Sequence, residues 1–282
     1  MYVLMIVALA VLAVVDLVVG VSNDAVNFLN SAIGSKAISF RTIMIVASLG
    51  IAIGATFSSG MMEVARKGIF NPGEFMFSEI MIIFMAVMIT DILLLDFFNT
   101  IGMPTSTTVS IVFELLGAAV AMALIKVAVD GGTMADVSQY INTSKATQII
   151  SGILLSVVIA FTVGALVQYV SRLLLSFNFE KKAHWISALF GGIALTAITF
   201  FILIKGLHGA TFVSQGVSDF IAGNSPLIIV ASFAIWFLFS YLLITILKYS
   251  IYKLIIAVGT FALALAFAGN DLVNFIGVPI AA

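Results

Sequence analysis

Two asparagines flanking an aspartate recur at two distant places in this chain with one spacing. Residues 23–29 read Asn-Asp-Ala-Val-Asn-Phe-Leu and residues 270–276 read Asn-Asp-Leu-Val-Asn-Phe-Ile, with five of seven positions identical. In each copy the polar side chains stand at i, i+1 and i+4: Asn23, Asp24, Asn27 and Asn270, Asp271, Asn274. On a helix, i and i+4 share a face and i+1 lies about 100° away. One turn therefore presents two carboxamides with a carboxylate beside them. Oxygen ligands of this kind suit hard cations, so Asn23, Asp24, Asn270 and Asp271 are candidates to hold Na⁺. A helix break at each copy would free backbone carbonyls to join them, and hydrogen bonding between helices is the structural alternative.

A second group is Gly102-Met103-Pro104-Thr105-Ser106-Thr107-Thr108, directly before the apolar run 109–129. Proline favours a first helical turn, and Ser and Thr cap the amides there. A helix N-terminus inside a membrane offers N–H groups and a positive dipole end, and so can hold an anion without a formal cation. Thr105, Ser106, Thr107 and Thr108 add hydroxyls suited to a tetrahedral oxyanion. An ordinary capped helix start, or hydroxyls bonding back to carbonyls one turn earlier, is the plainer reading.

The remaining acids follow the same logic. All twelve Lys and Arg can be placed in loops or near span ends, whereas Asp16, Asp24, Glu79, Asp91, Asp96, Glu114 and Asp271 fall within or against apolar runs and Glu63 ends one. Carboxylates at membrane depth without basic partners need protons or metal cations. Glu63 and Glu114 are accordingly secondary cation candidates. For Asp16, Glu79 and Asp96, a protonated carboxyl or one reaching to an interface serves equally well.

The elements that must position these groups are membrane spans. Of 282 residues, 62% are hydrophobic and 9% charged, with a mean hydropathy of +1.26; soluble domains carry about 25% charged residues. Spans of about 20 apolar residues are expected near 2–20, 42–62, 76–98, 109–129, 148–175, 184–205, 227–247 and 251–269. Segments 24–40 and 270–282 are apolar but interrupted, and read as broken or re-entrant. If 24–40 crosses, Lys36, Arg41, Arg172, Lys181, Lys182, Lys248 and Lys253 share one side, against Arg66, Lys67, Lys126, Lys145 and Lys205 on the other. Seven against five favours the first side as cytoplasmic.

A net charge of −1 argues against nucleic-acid partners, the absence of cysteine excludes disulfides and thiolate metal sites, and His184 and His208 are too far apart in sequence to suggest a zinc site. Gly50 and Gly54 form a G-x-x-x-G suited to close helix packing.

Four ordered motifs resemble the inorganic phosphate transporter (PiT) family. Residues 20–36 (GVSNDAVNFLNSAIGSK) resemble its N-terminal signature, Glu63 to Ile69 is similar to its E-x-x-R-K-G-I segment, and Pro104 to Thr108 matches P-x-S-T-T. Residues 269–282 (GNDLVNFIGVPIAA) look like the start of its second signature. The resemblance implies an all-α polytopic inverted-repeat transporter importing inorganic phosphate with Na⁺ or H⁺ as coupling ion. Asp24, Asn27, Asp271 and Asn274 would line the site, and Ser106, Thr107 and Thr108, with Thr105 beside them, would contact phosphate. Departures include Val21-Ser22 within the usual G-A-N-D-V-A-N pattern and Phe267-Ala268 in place of a histidine before the second signature.

The family pattern would continue past Ala282, so the chain reads as truncated after the start of its second repeat. Residues 1–130 form a first repeat, 131–250 connecting helices and 251–282 the opening of the second. The expected setting is the bacterial inner (plasma) membrane, multi-pass, with phosphate and lipid as partners; no organic cofactor is expected, and a homodimer is compatible with the sequence. A sulfate or other oxyanion permease, and an ion channel, are the alternatives. A membrane enzyme lacks a nucleophile–His pair or metal cluster to support it.

Overall fold

The computed structural model describes residues 2–57, 68–175, 184–203, 215–270 and 275–277. Among them the protein is helical, with no strand beyond an isolated bridge between Phe70 and Ile141. The helices are α1 (Tyr2–Ser35), α2 (Phe40–Phe57), α3 (Phe77–Thr100), α4 (Thr107–Asp130), α5 (Val137–Tyr140), α6 (Thr143–Leu175), α7 (His184–Phe201), α8 (Gln215–Gly223), α9 (Ser225–Thr245) and α10 (Ile251–Asn270). By length and composition seven of them can cross a membrane: α1, α3, α4, α6, α7, α9 and α10.

The clearest departure from the sequence expectation is α1. Segment 24–40 is neither broken nor re-entrant through Ser35; it continues the first span as one helix of 34 residues. At 1.5 Å per residue this helix is about 51 Å long, against a hydrocarbon thickness of about 30 Å. Asn23, Asp24 and Asn27 therefore sit in unbroken helix, and the charge tally that assumed a separate crossing at 24–40 loses its premise. Glu63, Arg66 and Lys67, the second-motif residues Asp271 and Asn274, and residues 278–282 fall outside the described residues, as does the side chain of Asn270.

The chain forms two compact units interleaved along the sequence. One comprises Met1–Asn27, Gly60–Ser156 and Asn270–Ala282; the other comprises Phe28–Ser59 and Val157–Gly269. The division 1–130, 131–250 and 251–282 concerns repeats rather than these compact units.

In the first unit α3 and α4 form the centre. Met81, Phe84, Val87 and Met88 of α3 meet Ile111, Leu115, Ala119 and Ala123 of α4, and Leu9 and Ala13 of α1 close the same core. One end of the α3–α4 pair is sealed by aromatic rings. Phe75 lies 5.7 Å from Phe70 and 5.3 Å from Tyr140, centroid to centroid. Lys126 Nζ stands over both the Phe75 and Tyr140 rings and donates to Glu79 Oε2 at 2.9 Å. Glu79 also accepts from the Met76 N–H. It is thus no orphan acid: Lys126, far from it in sequence, is its basic partner.

The second unit depends on small residues. A Cβ on Gly50 would lie 2.6 Å from the Phe261 carbonyl oxygen, and one on Gly54 would lie 2.5 Å from that of Leu265. The G-x-x-x-G of α2 therefore lets the α10 backbone approach closely, as its spacing suggests. Gly191 and Gly192 do the same for α7, against Ser240 and Phe237 of α9, where Trp236 Nε1 donates to Thr199 Oγ1 at 2.9 Å. The apolar helix α6 has only Ala146 buried; Phe161 is 79% exposed. Such a surface is tolerable in lipid and not in water.

Gly54→Val places two methyl groups against the α10 backbone. Overpacking of this kind costs about 1–3 kcal/mol, so the purified full-length variant should unfold at lower temperature in detergent. An unchanged unfolding midpoint would contradict the packing described.

Candidate functional site

The polar loop joining α3 to α4 is built by its glycine. Gly102 adopts φ +70°, the left-handed conformation that favours residues without a Cβ. Its N–H donates to Asn99 O at 3.1 Å, and Met103 N–H donates to Phe98 O at 3.0 Å. This paired pattern ends a helix, so Gly102 closes α3. Pro104 follows that closure and precedes the first residue of α4, Thr107. It therefore belongs to the loop and not, as its type suggested, to the first helical turn. The cap of α4 is Ser106, whose hydroxyl accepts from Val109 N–H at 3.4 Å.

Asn23 ties this loop to α1. Its amide donates to Asn99 Oδ1 at 2.9 Å and to the Met103 carbonyl at 3.2 Å, while its Oδ1 accepts from Thr105 N–H at 2.8 Å. Asn99 in turn donates to the Val19 carbonyl of α1 at 3.0 Å. The carboxamide thus already has three partners, and Asn23 acts here as a brace. Asn99 was not singled out from sequence. The available signal was an amide side chain in the last turn of an apolar helix, just before a glycine.

The next residue turns the brace into a site. Asp24 is 3% exposed; its Oδ2 accepts from Thr107 Oγ1 at 2.9 Å and its Oδ1 from Asn27 Nδ2 at 3.2 Å. Asp24, Asn27, Pro104, Thr105, Ser106, Thr107 and Thr108 line one cavity of about 340 Å³. Six sequence-nominated side chains are brought together there. Glu114 is not among them; it lines a different cavity of about 460 Å³ with Thr90 and Ser110.

Among the described residues the lining carries one carboxylate, one carboxamide and four hydroxyls, and no basic side chain. The first turn of α4, whose leading N–H groups have no acceptor within the helix, opens at the same place. Hydroxyls and helix N–H groups can solvate an anion, but the Asp24 carboxylate repels one. An anion and Asp24 are compatible when a cation or a proton stands between them. Asp24 with Asn27 supplies oxygen ligands for such a cation.

Residues 20–282 match the model of the phosphate transporter family. The chain belongs to that family. Two relatives are provisionally named phosphate permeases: one from Thermococcus kodakarensis, 26% identical over 93% of this chain and 62% of its own length, and one from Pyrococcus furiosus, 26% identical over 93% and 61%. This chain thus spans about three fifths of the length of these curated relatives. Among solved structures, the sodium-dependent phosphate transporter superposes with a TM-score of 0.72 at 19% identity, covering 98% of this chain and 66% of that one. The likeness is one of fold, and with seven helices able to cross a membrane this chain is a multi-pass membrane protein.

Asn23→Ala would leave Thr105 N–H, Asn99 Oδ1 and the Met103 carbonyl without their partner. A buried polar group stripped of its partner costs about 1–3 kcal/mol, so the variant should unfold at lower temperature. Asn23→Asp, which sets a carboxylate against the Asn99 Oδ1 and Met103 carbonyl oxygens, should be no more stable than Asn23→Ala; two variants as stable as the unaltered protein would refute the brace.

Proposed function

We propose that the protein is a secondary active transporter that imports inorganic phosphate with Na⁺ or H⁺ through the cavity at the start of α4. The observation that carries this reading is the pairing of Asp24 with the Thr105–Thr108 hydroxyls in one cavity; among the described residues no basic side chain lines it. Such a site favours anion and cation together over either alone, which is the electrostatic requirement for symport. The anion would lie against the hydroxyls and the first turn of α4, and the cation between it and Asp24. Thr107, hydrogen-bonded to Asp24, would join the two. The name of the structural neighbour makes sodium the first cation to test.

Asp24 also favours phosphate over sulfate. A carboxylate can accept a hydrogen bond from the proton on hydrogen phosphate, whereas fully ionised sulfate offers none. Sulfate, and a channel mechanism, remain the competing readings the assay below separates.

An inverted repeat would supply a matching half-site from Asn270, Asp271 and Asn274, and would allow alternating access around a site shared by the halves. Support comes from the phenylalanines of the two motifs. Phe28 packs on Phe267 with centroids 4.9 Å apart, and Phe275, its counterpart, packs on Gly20. Residue 267 is the repeat counterpart of residue 20. Each motif thus uses its phenylalanine against the equivalent position of the other, the reciprocity that a two-fold relation produces.

The test is radiolabelled phosphate uptake by the full-length protein in proteoliposomes, with sodium and pH gradients imposed separately and unlabelled sulfate as competitor. Saturable, gradient-driven uptake resisting sulfate is expected; no uptake under either gradient would overturn the proposal, and unsaturable uptake without a gradient would indicate a channel. Asp24→Asn should abolish dependence on the gradient. Thr107→Val removes a hydrogen bond to a charged group, worth about 1.5–3 kcal/mol, and should raise the apparent KM roughly ten- to a hundredfold.

A further inference from the structure

Below the cavity, on the same three helices, lies a group of acids that the transport site does not use. Asp16 on α1 and Asp91 on α3 are both 0% exposed. Neither their four carboxyl oxygens nor the two of Glu114 on α4 has a hydrogen-bond partner. The placement is consistent along each helix: Asp16 precedes Asp24, Asp91 precedes Asn99, and Glu114 follows Thr107, each by about two turns or roughly 12 Å.

The groups facing one another are all acidic. The Asp16 carboxyl is at hydrogen-bonding range of Asp91 and also faces Glu114. Asp91 is within electrostatic reach of Asp24 of the cavity above, and Glu114 within reach of Asp91. No Lys, Arg or His acts on any of the three among the described residues. Two ionised carboxylates at that separation have four acceptors and no donor, which explains how atoms so close can lack a hydrogen bond. One proton supplies the missing donor and removes half of the charge. Among the described residues no group of three or more acids, His or Cys could hold a metal ion, whereas a proton needs only two facing oxygens.

We propose that Asp16 and Asp91 are a proton-binding pair, holding one proton between their carboxyl oxygens. Glu114, which lines the cavity shared with Thr90 and Ser110, is the member through which that proton exchanges with water. The shared proton is a property of the protein whatever it carries. Its part in coupling rests on the transport reading: Asp91 is within electrostatic reach of Asp24, so a charge arriving at Asp24 changes how firmly the pair holds its proton.

Infrared spectroscopy of the purified full-length protein in lipid tests this directly. At neutral pH a carbonyl-stretch band of protonated, hydrogen-bonded carboxyl should be present, should shift in D₂O, and should be lost or displaced in both Asp16→Asn and Asp91→Asn. Glu114→Gln should keep the band and slow its shift in D₂O. Absence of the band in the unaltered protein, or its survival in both Asn variants, would overturn the pair, and the first result does not depend on any variant folding. Phosphate uptake measured on the same preparations keeps the two claims apart. Uptake without the band sinks the pair alone; the band without uptake upholds the pair and sinks the transport reading.

Discussion

The site depends on one carboxamide. Asn23 has two N–H groups and one oxygen, and all are engaged: with the end of α3, the loop beyond it, and the residue before the α4 cap. In water such bonds would exchange with solvent at little cost. Inside a membrane the alternative is an unsatisfied polar group, which costs several kcal/mol. The brace therefore sets the register between α1 and the α3–α4 loop, and with it the meeting of Asp24 with Thr107. Chemistry at residue 24 is placed by geometry at residue 23.

The brace also explains which sequence expectations held. Hydropathy identified lipid as the solvent, and the residue types at 23–27 and 104–108 marked the groups that share the cavity. Hydropathy could not show whether polar residues interrupt a helix. Asn23 and Asp24 look like a break in a sequence window, yet α1 continues because their hydrogen-bonding needs are met by a loop some eighty residues away. Pro104 misled for a related reason: proline suits both a first helical turn and the stretch after a glycine-closed helix, and only the left-handed Gly102 distinguishes them. Glu79 seemed unpartnered because Lys126 lies a whole helix hairpin away in sequence. Asn99 and the facing of Asp16 by Asp91 were illegible for the same reason, since no local pattern encodes which helices touch.

Among the described residues of α1, α3 and α4, the buried charge-bearing groups Asp16, Asp24 and Asp91 are all acids, and Lys126 at the far end of the α3–α4 pair is neutralised by Glu79. In a medium where an uncompensated charge is costly, acids without basic partners are tolerable only while they hold something positive. On the transport reading proposed above, these acids would hold cations or protons, and the hydroxyl-rich start of α4 would be where an anion joins them.

The exchanged phenylalanines have a consequence for how such a chain can change over generations. Gly20 is small because Phe275 occupies the space a side chain would need, while its repeat counterpart is Phe267, a ring that stacks on Phe28. Duplicated halves usually drift apart independently. Here a substitution in one copy is felt first in the other, so bulk gained at position 20 must be surrendered near position 275. The two Asn-Asp-x-Val-Asn-Phe segments thus constrain each other's neighbours through these contacts.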